Sequence, residues 1–267
     1  MIVNTALDRE KKNHYDLTLI CTDNGEPPLA SEQKLVIRIT DVNDNSPKFL
    51  NSHYTFSLRE NNSPPEIIGT VKAADEDLEE NGNGKVKYIL ENTDGNFAID
   101  ENKGTLMSVS RFDREFKDTY ELLIIAFDSG KPISLSSRVN VTVHIEDRND
   151  EMPTFSKETY NFLVRENLPA SSPLGLIEAT DRDATDSENS QITYSLLGTR
   201  DFAVDSLKGE LRTTRKLDRE SMPEHQFQAC ATDNGHPAQQ GCCRVHVKVL
   251  YATLFSFYYT CTLFYSI

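Results

Sequence analysis

Carboxylates recur along this chain in short phrases at fixed spacing, and carboxylate oxygens gathered in number bind hard divalent cations or share protons. "LDRE" at Leu7–Glu10 returns as "FDRE" at Phe112–Glu115 and as "LDRE" at Leu217–Glu220, each time after 105 residues. "TDNG" at Thr22–Gly25 returns at the same interval as "FDSG" at Phe127–Gly130 and "TDNG" at Thr232–Gly235. "LREN" at Leu58–Asn61 and "ADED" at Ala74–Asp77 come back after 106 residues as "VREN" at Val164–Asn167 and "TDRD" at Thr180–Asp183. The acidic, proline-closed phrases "TDVNDNSPKF" (Thr40–Phe49) and "EDRNDEMPTF" (Glu146–Phe155) are also 106 residues apart. A lone Asp-x-Asp or Asp-x-Gly is usually a turn. Several such motifs in one register make an internal repeat, and the period is long enough for each unit to own a core.

Oxygen-only ligands in that number suit calcium, which takes six to eight oxygens, whereas zinc prefers nitrogen and sulfur and magnesium a tight octahedron. No Cys-x-x-Cys pair occurs, and His14, His53, His144, His225, His236 and His246 share no ligand spacing, so most are expected at the surface. The EF-hand alternative fails on "DEDLEENGNGKV": its sixth position is Glu80 rather than Gly and its twelfth is Val86 rather than Glu. Paired carboxylates also serve glycosidases and aspartic dyads. No Ser/His/Cys set or phosphate-binding glycine loop accompanies them here, and the chain reads as a binding protein, not an enzyme.

The elements that position these acids are strands. In the middle repeat, turn residues cut the chain into seven short segments, Tyr54–Leu58, Ile67–Ala73, Lys85–Leu90, Phe97–Ile99, Thr105–Val109, Tyr120–Phe127 and Ser137–Ile145. None carries a capped helical period, and seven strands in about a hundred residues predict an antiparallel β-sandwich. Pro47 and Pro153 lack the donor a central strand needs, so the acidic phrases are linkers that follow strand-like runs. If strands alternate in direction, Asp75, Asp77, Asn83 and Asp128 collect at one pole of the repeat. Glu60, Asp113, Glu115 and the linker collect at the other.

Composition narrows the partners. Of 267 residues, 42 are Asp or Glu and 28 Lys or Arg, a net charge of −14, which argues against nucleic acid and anionic lipid as partners. Trp is absent, which disfavours a true immunoglobulin domain. Cys230 could reach Cys242 or Cys243 across a hairpin, with buried or free thiols the equally open reading, while Cys21, aligned with Ala126 and Ala231, is expected to be a core thiol. "NVT" at Asn140 is a glycosylation acceptor pattern, a weak sign of secretion by itself. Arg9, Arg114 and Arg219 are expected to pair with neighbouring carboxylates. The first seventeen residues show no signal peptide. Val249–Ile267 carries no charge, lacks basic flanks and does not make a convincing transmembrane helix; a non-native readthrough in place of the linker is the preferred reading.

These motifs resemble a tandem array of cadherin repeats. The family's X-E-N, D-x-D, N-G-x-x-x-Y, D-R-E, D-x-G and D-x-N-D-N phrases stand here as "REN", "DED", "NGKVKY", "DRE", "DSG" and "DVNDN". The resemblance covers roughly residues 1–250 and implies an all-β chain of seven-strand Greek-key sandwiches joined end to end, with about three Ca2+ ions at each junction. It assigns to the first junction Asp8, Glu10, Asp41, Asn43, Asp44, Asp75, Asp77 and Asp128, with the carbonyls of Val42, Asn45 and Asn83. To the second it assigns Glu60, Asp113, Glu115, Asp147, Asn149, Asp150, Asp181, Asp183 and Asp233, with the carbonyls of Arg148, Glu151 and Asn189. Glu151 replaces the last linker Asn, an exchange expected to matter little because that position would ligate through its backbone. Ser190 replaces a usual Gly, which is expected to strain its turn.

The resemblance further implies the C-terminal part of a repeat at 1–46, a complete repeat at 47–152, a third repeat at 153–250 without its normal linker, and an apolar, non-cadherin tail at 251–267. On that reading the chain is an internal piece of a longer protein, and Glu166, Asp218 and Glu220 lack a downstream partner. The function implied is calcium-dependent cell–cell adhesion at the extracellular side of the plasma membrane. The implied partners are other cadherin ectodomains, the same or different, with membrane attachment in the full-length protein and no small-molecule substrate. Spacer repeats of a giant cadherin, or a truncated product without a function of its own, are the alternatives. Lack of Trp removes the exchanged-strand Trp that some cadherin tips use, and large protocadherin-like or Fat/Dachsous-like proteins are the nearer likeness.

Overall fold

The computed structural model describes residues 3–91, 94–185 and 187–252. They fall into two compact units, Met1–Glu146 and Asp147–Ile267. The uncharged tail beyond residue 252 lies outside the described residues.

The first unit opens with a hairpin, β1 (His14–Thr22) and β2 (Ala30–Arg38), paired from His14 opposite Arg38 to Thr22 opposite Ala30. Among the described residues no third strand joins it, and Leu19, Ile20 and Val36 stay exposed. Cys21 is therefore exposed rather than in a core: its equivalents Ala126 and Ala231 are buried under a second sheet, and none covers this hairpin among the described residues.

A two-sheet sandwich follows. Its strands are β3 (Lys48–Phe49), β4 (His53–Arg59), β5 (Glu66–Thr70), β6 (Ala73–Ala74), β7 (Lys87–Glu91), β8 (Phe97–Ile99), β9 (Thr105–Ser108), β10 (Thr119–Phe127) and β11 (Ser136–Glu146). One sheet has the order β4-β11-β10-β7 and the other β5-β9-β8; the expected antiparallel pairing fails at one place, where β4 runs parallel to β11. The chain changes sheet after β4, β5, β7 and β9, which is the Greek-key route expected. Alternation in β10 turns Tyr120, Leu122, Ile124 and Ala126 inward, and the first three stand opposite Val143, Val141 and Val139. Leu58 on β4 joins this face, and Val71, Phe97 and Leu106 close the core from the other side. Phe97, Phe112 and Tyr120 form an aromatic cluster with centroids 4.9–5.4 Å apart.

The segment Ile67–Ala73, expected as one strand, is two. β5 pairs with β9 through a bulge at Ile67/Gly69, then the chain leaves that sheet and β6 pairs with β3. Gly69 is needed because a Cβ there would lie 2.3 Å from the Phe56 ring.

The second unit repeats this plan with β12 (Thr154–Phe155), β13 (Thr159–Arg165), β14 (Pro173–Leu176), β15 (Ala179–Thr180), β16 (Thr193–Leu197), β17 (Phe202–Val204), β18 (Glu210–Thr213), β19 (Glu224–Thr232) and β20 (Gln240–Leu250). Its sheets are β13-β20-β19-β16 and β14-β18-β17, over a core of Tyr160, Ile177, Leu211, Phe227, Val245 and Val247. Cys230 stands directly opposite Cys242 in the β19/β20 register and is bonded to it, with Cα atoms 4.1 Å apart. Cys243 is one residue on, so the period of two turns it to the other face, where it is buried and burial pushes its thiol pKa up. His225 departs from the surface expectation: it is buried 5.1 Å from the Phe202 ring, and burial holds its pKa down against the nearby Asp201.

Because each unit has its own core, damage should stay local. Ile124→Ala removes fully buried methylenes from the first unit and should cost it about 2–5 kcal/mol. Calorimetry should then show one transition lowered and the second unit's unmoved; a uniform shift of both would contradict separate cores.

Candidate metal centres

At the upper pole of the first unit, the loops after β6 and β10 and the 41–45 linker are held together by side-chain caps. Asp75 and Asp77 form a tight turn, the Asp77 amide donating to Asp75 Oδ1 at 3.0 Å. Asp128 accepts from the amides of Gly130 at 2.9 Å and Leu135 at 3.0 Å and is almost fully buried. Asp41 is gripped from the opposite loop by the Asn81 and Asn83 amides, at 2.7 and 2.9 Å, and by the Leu78 N–H. Asn43 donates to Asp128 at 3.2 Å and to the Ile133 carbonyl at 2.9 Å. Its side chain lies where a Cβ on Gly130 would come within 2.4 Å, so the glycine of the Asp-x-Gly motif makes room for the linker Asn. Asn45 caps Asp77 through its backbone at 3.1 Å and its amide at 2.8 Å.

Glu10, Asp41 and Asp77 bring one oxygen each within 4.8 Å of one another. Arg9 pairs with Glu10 at 2.6 Å and with Asp41, and donates to the Glu76 carbonyl at 2.9 Å. Asp8 instead pairs with Lys11 at 2.8 Å, which holds its carboxyl below the usual range. Asp44 is exposed beside the Asn45 amide, and the Val42 carbonyl accepts the Asp44 N–H at 2.9 Å.

The upper pole of the second unit rebuilds the same frame. The Asp183 amide donates to Asp181 at 3.0 Å, and Asp233 accepts from Gly235 and Gln239. Asp147 is held by Ala184, Ser187 and Asn189. Asn149 donates to Asp233 at 3.3 Å and to the Pro237 carbonyl at 2.6 Å, against Gly235, where a Cβ would come within 2.3 Å. Arg148 and Asp150 are exposed on this linker. Ser190 takes no left-handed backbone, and its hydroxyl donates to the Ala184 carbonyl at 2.8 Å.

Glu151 lacks the amide by which Asn45 caps Asp77; its carboxylate turns to Arg182 at 3.3 Å, and only its backbone reaches Asp183, at 3.4 Å. The exchange thus removes one donor from the Asp-x-Asp turn and adds a charge that helps raise Asp181.

At the lower pole of the first unit, Glu60 is nearly fully buried and accepts the Arg114 amide at 2.9 Å. Asn61 takes a left-handed φ of 54°, as does Asn167 at 62°, a backbone that Asn tolerates better than most residues, which explains the Asn in each Glu-Asn pair. Asp113 is exposed and caps the turn that leads into β10. Arg114 pairs with Glu115. In the second unit the equivalent Glu166, Asp218 and Glu220 also bring oxygens within 4.8 Å. There Glu166 accepts the amides of Ala252 and Arg219, and the Arg219 guanidinium, paired with Glu220, lies 3.6 Å from the Tyr251 ring centre.

Electrostatics shows what these poles lack. Burial, then the charges of Asp77 and Asp128, raises the Asp75 pKa. Burial and Asp181, Asp147 and Asp150 push Asp183 up to about 7. Burial and Glu60 push Glu115 up to about 7 despite Arg114. Asp41 stays low although burial opposes it, because the Asn81 and Asn83 amides stabilise its charge. Buried oxygens of Asn43, Asp75, Asn149, Asp181 and Asp183 have no hydrogen-bond donor. Oxygen atoms that are buried, crowded and donorless fit a hard divalent cation, and among the described residues the clustered candidate ligands are all carboxylates, with no His or Cys.

Cadherin domain sequences match two stretches of the chain, residues 54–146 and 160–250. The chain belongs to the cadherin family. It is 36% identical to human Protocadherin-1 over 92% of this chain and 23% of that protein, and 34% identical to Drosophila melanogaster Protein dachsous over 93% and 7%. Among solved structures, mouse Cadherin-23 EC22-24 superposes with a TM-score of 0.80 at 33% identity, covering 93% of this chain and 78% of that one. The Protocadherin gammaB7 EC3-6 cis-dimer structure gives 0.81 at 28% identity, covering 92% and 61%. The chain thus spans under a quarter of the length of these curated relatives. Cadherin repeats bind calcium, and calcium-dependent adhesion is the family's general function.

Two predictions follow from the geometry. The folded pKa values near 7 of Asp183 and Glu115 exceed the unfolded values near 4, so their stabilising contribution is complete below about pH 4 and is lost as pH rises through about 7. The melting temperature in chelator should therefore fall between pH 5 and pH 8, and saturating calcium should cancel most of that fall; an ion-free profile that is flat or rising would be inconsistent. Glu151→Asn supplies the missing cap, and the Asp183 carboxyl should then titrate at lower pH by NMR, whereas an unchanged titration would show that the amide does not matter there.

Proposed function

We propose that this chain is part of an adhesive ectodomain whose repeats bind calcium around the 41–45 and 147–151 linkers, the ions stiffening the array so that it can meet other cadherin ectodomains outside the cell. The observation that carries the reading is the set of donorless buried carboxylate and amide oxygens at the upper pole of each unit, on the Asp-x-Asp and linker motifs of the family. Those poles carry Asp41, Asn43, Asp75, Asp77 and Asp128 in one unit and Asp147, Asn149, Asp181, Asp183 and Asp233 in the other. Glu10 and Glu60 with Glu115 are the further carboxylates assigned to the ions, at about three ions per linker.

No step of catalysis is assigned to these residues. Calcium supplies counter-charge, and the chain's part is to hold oxygens at fixed places: Asn81, Asn83 and Asn189 orient the linker Asp side chains, and Asn43 and Asn149 clip each linker to its Asp-x-Gly loop. Attachment to the plasma membrane belongs to the longer protein on this reading. Among the described residues no helix is long and apolar enough to cross a membrane.

Extracellular calcium modules bind with dissociation constants of about 10⁻⁴–10⁻³ M, so removal of the ion should be easy to follow. Small-angle scattering of the whole chain should show a more extended, less variable particle in millimolar calcium than in chelator, with β-sheet circular dichroism retained in both. Asp183→Asn should weaken calcium binding by at least about tenfold, since it removes a charged ligand from a buried set. Identical scattering with and without calcium would overturn the stiffening, and full binding by the variant would overturn the ligand assignment.

A further inference from the structure

The chain carries two Asn-x-Ser/Thr triplets, Asn61-Asn62-Ser63 and Asn140-Val141-Thr142, and the fold treats them differently. Asn61 is held at the lower pole, its side-chain oxygen accepting from Arg111 and its backbone amide donating to the Phe112 carbonyl at 2.9 Å. Pro64 and Pro65 follow the triplet and confine Ser63 to extended backbone. Asn140 lies in β11 on the outward face of the β4-β11-β10-β7 sheet, exposed, between Leu123 on β10 and His53 on β4. Its side chain makes no hydrogen bond to the described residues.

On the β4 and β11 side the face around Asn140 is polar, with His53, Thr55 and Ser57 on β4 and Arg138, Thr142 and His144 on β11 sharing it by alternation, while Leu123 and Ile125 on β10 border it as apolar neighbours. Among the described residues of the first unit nothing covers Asn140 itself, so a bulky hydrophilic group on it meets solvent and displaces no buried contact. We propose that Asn140 is the site of an N-linked oligosaccharide, attached before β11 pairs with its neighbours. In that step the Asn140 amide nitrogen bonds to the anomeric carbon of a lipid-pyrophosphate-linked oligosaccharide. The carbon–oxygen bond to pyrophosphate breaks, and the amide proton leaves with the released lipid pyrophosphate.

The order of events follows from Thr142. A transferase must engage the hydroxyl of the third residue, and here that hydroxyl is bonded to Glu121 at 2.8 and 3.0 Å and to His53 Nε2 at 3.0 Å, with Thr142 itself buried. Val141 between the two is completely buried in the core. β11 is also an interior strand, bonded to β10 on one side and β4 on the other, so the folded triplet cannot leave the sheet to enter an enzyme. The acceptor is open only in the unfolded chain, while the attached sugar is tolerated only because Asn140 ends on the outer face.

The proposal needs the secretory route of the function proposed above, but its test separates the two. The whole chain, given a secretion leader and made in mammalian cells, should carry a peptide-N-glycosidase-sensitive mass increase on Asn140. That increase should disappear in Asn140→Gln and Thr142→Val and persist in Thr142→Ser. In vitro, with purified oligosaccharyltransferase and lipid-linked donor, a peptide of residues 136–146 should be modified and the refolded whole chain made in bacteria should not. A secreted, folded chain whose Asn140 is unmodified would overturn the proposal while leaving the calcium reading intact. Modification of the refolded chain as fast as of the peptide would overturn the order of events.

Discussion

Like charges buried at short range repel unless something positive lies between them, and the poles of these sandwiches are organised around that repulsion. Asp75, Asp181, Asp183 and Glu115 are all driven toward the protonated state by burial, with neighbouring acids adding to it. The loops do not relieve the crowding. They fix it in place through amide donors that each occupy one oxygen and leave another without a partner. Strand lengths, turn types and the linker's placement all serve to hold oxygens that would otherwise move apart.

Neutralisation is uneven along the chain. In the first unit Arg9 and Lys11 supply positive charge beside Glu10, Asp41 and Asp8, so part of that pole is balanced by the protein itself. At the upper pole of the second unit Arg182 meets Glu151 and leaves Asp183 crowded by three other carboxylates. At its lower pole, Glu166 and Asp218 are held below the usual range, Glu166 chiefly by the Ala252 amide and Asp218 chiefly by the Ser221 hydroxyl. Sets of acids that look alike in sequence thus differ in how much charge each leaves to an outside cation.

Most of the framework was legible in the chain because a half-buried strand must alternate. Alternation along Tyr120–Phe127 puts Tyr120, Leu122, Ile124 and Ala126 on one face, and the structure buries that face. What could not be read depends on neighbours remote in sequence. The break of Ile67–Ala73 reflects a change of partner from β9 to β3, which no local pattern encodes. The choice of Cys242 over Cys243 needed the register of β19 and β20. Cys21 lies exposed because burial belongs to a facing sheet, not to the hairpin. The amide roles of Asn43, Asn81 and Asn149 were hidden for the same reason: a linker Asn reads as a ligand, whereas half of its side chain is a fastener. The recurrence of Gly in Asp-x-Gly was the available signal, since a residue with no side chain marks a place where something else must fit.

That packing of Asn43 onto Gly130 and of Asn149 onto Gly235 has a consequence for inherited variation. Exchange of either glycine for serine would delete no oxygen ligand, alter no charge and spare the hydrophobic core, so a survey of lost ligands would score it as harmless. Yet the new Cβ would occupy the space of the Asn amide, unfasten the linker from the Asp128 or Asp233 loop, and scatter the oxygens that the linker aligns. The genetic target presented by such a centre is therefore wider than its coordination sphere.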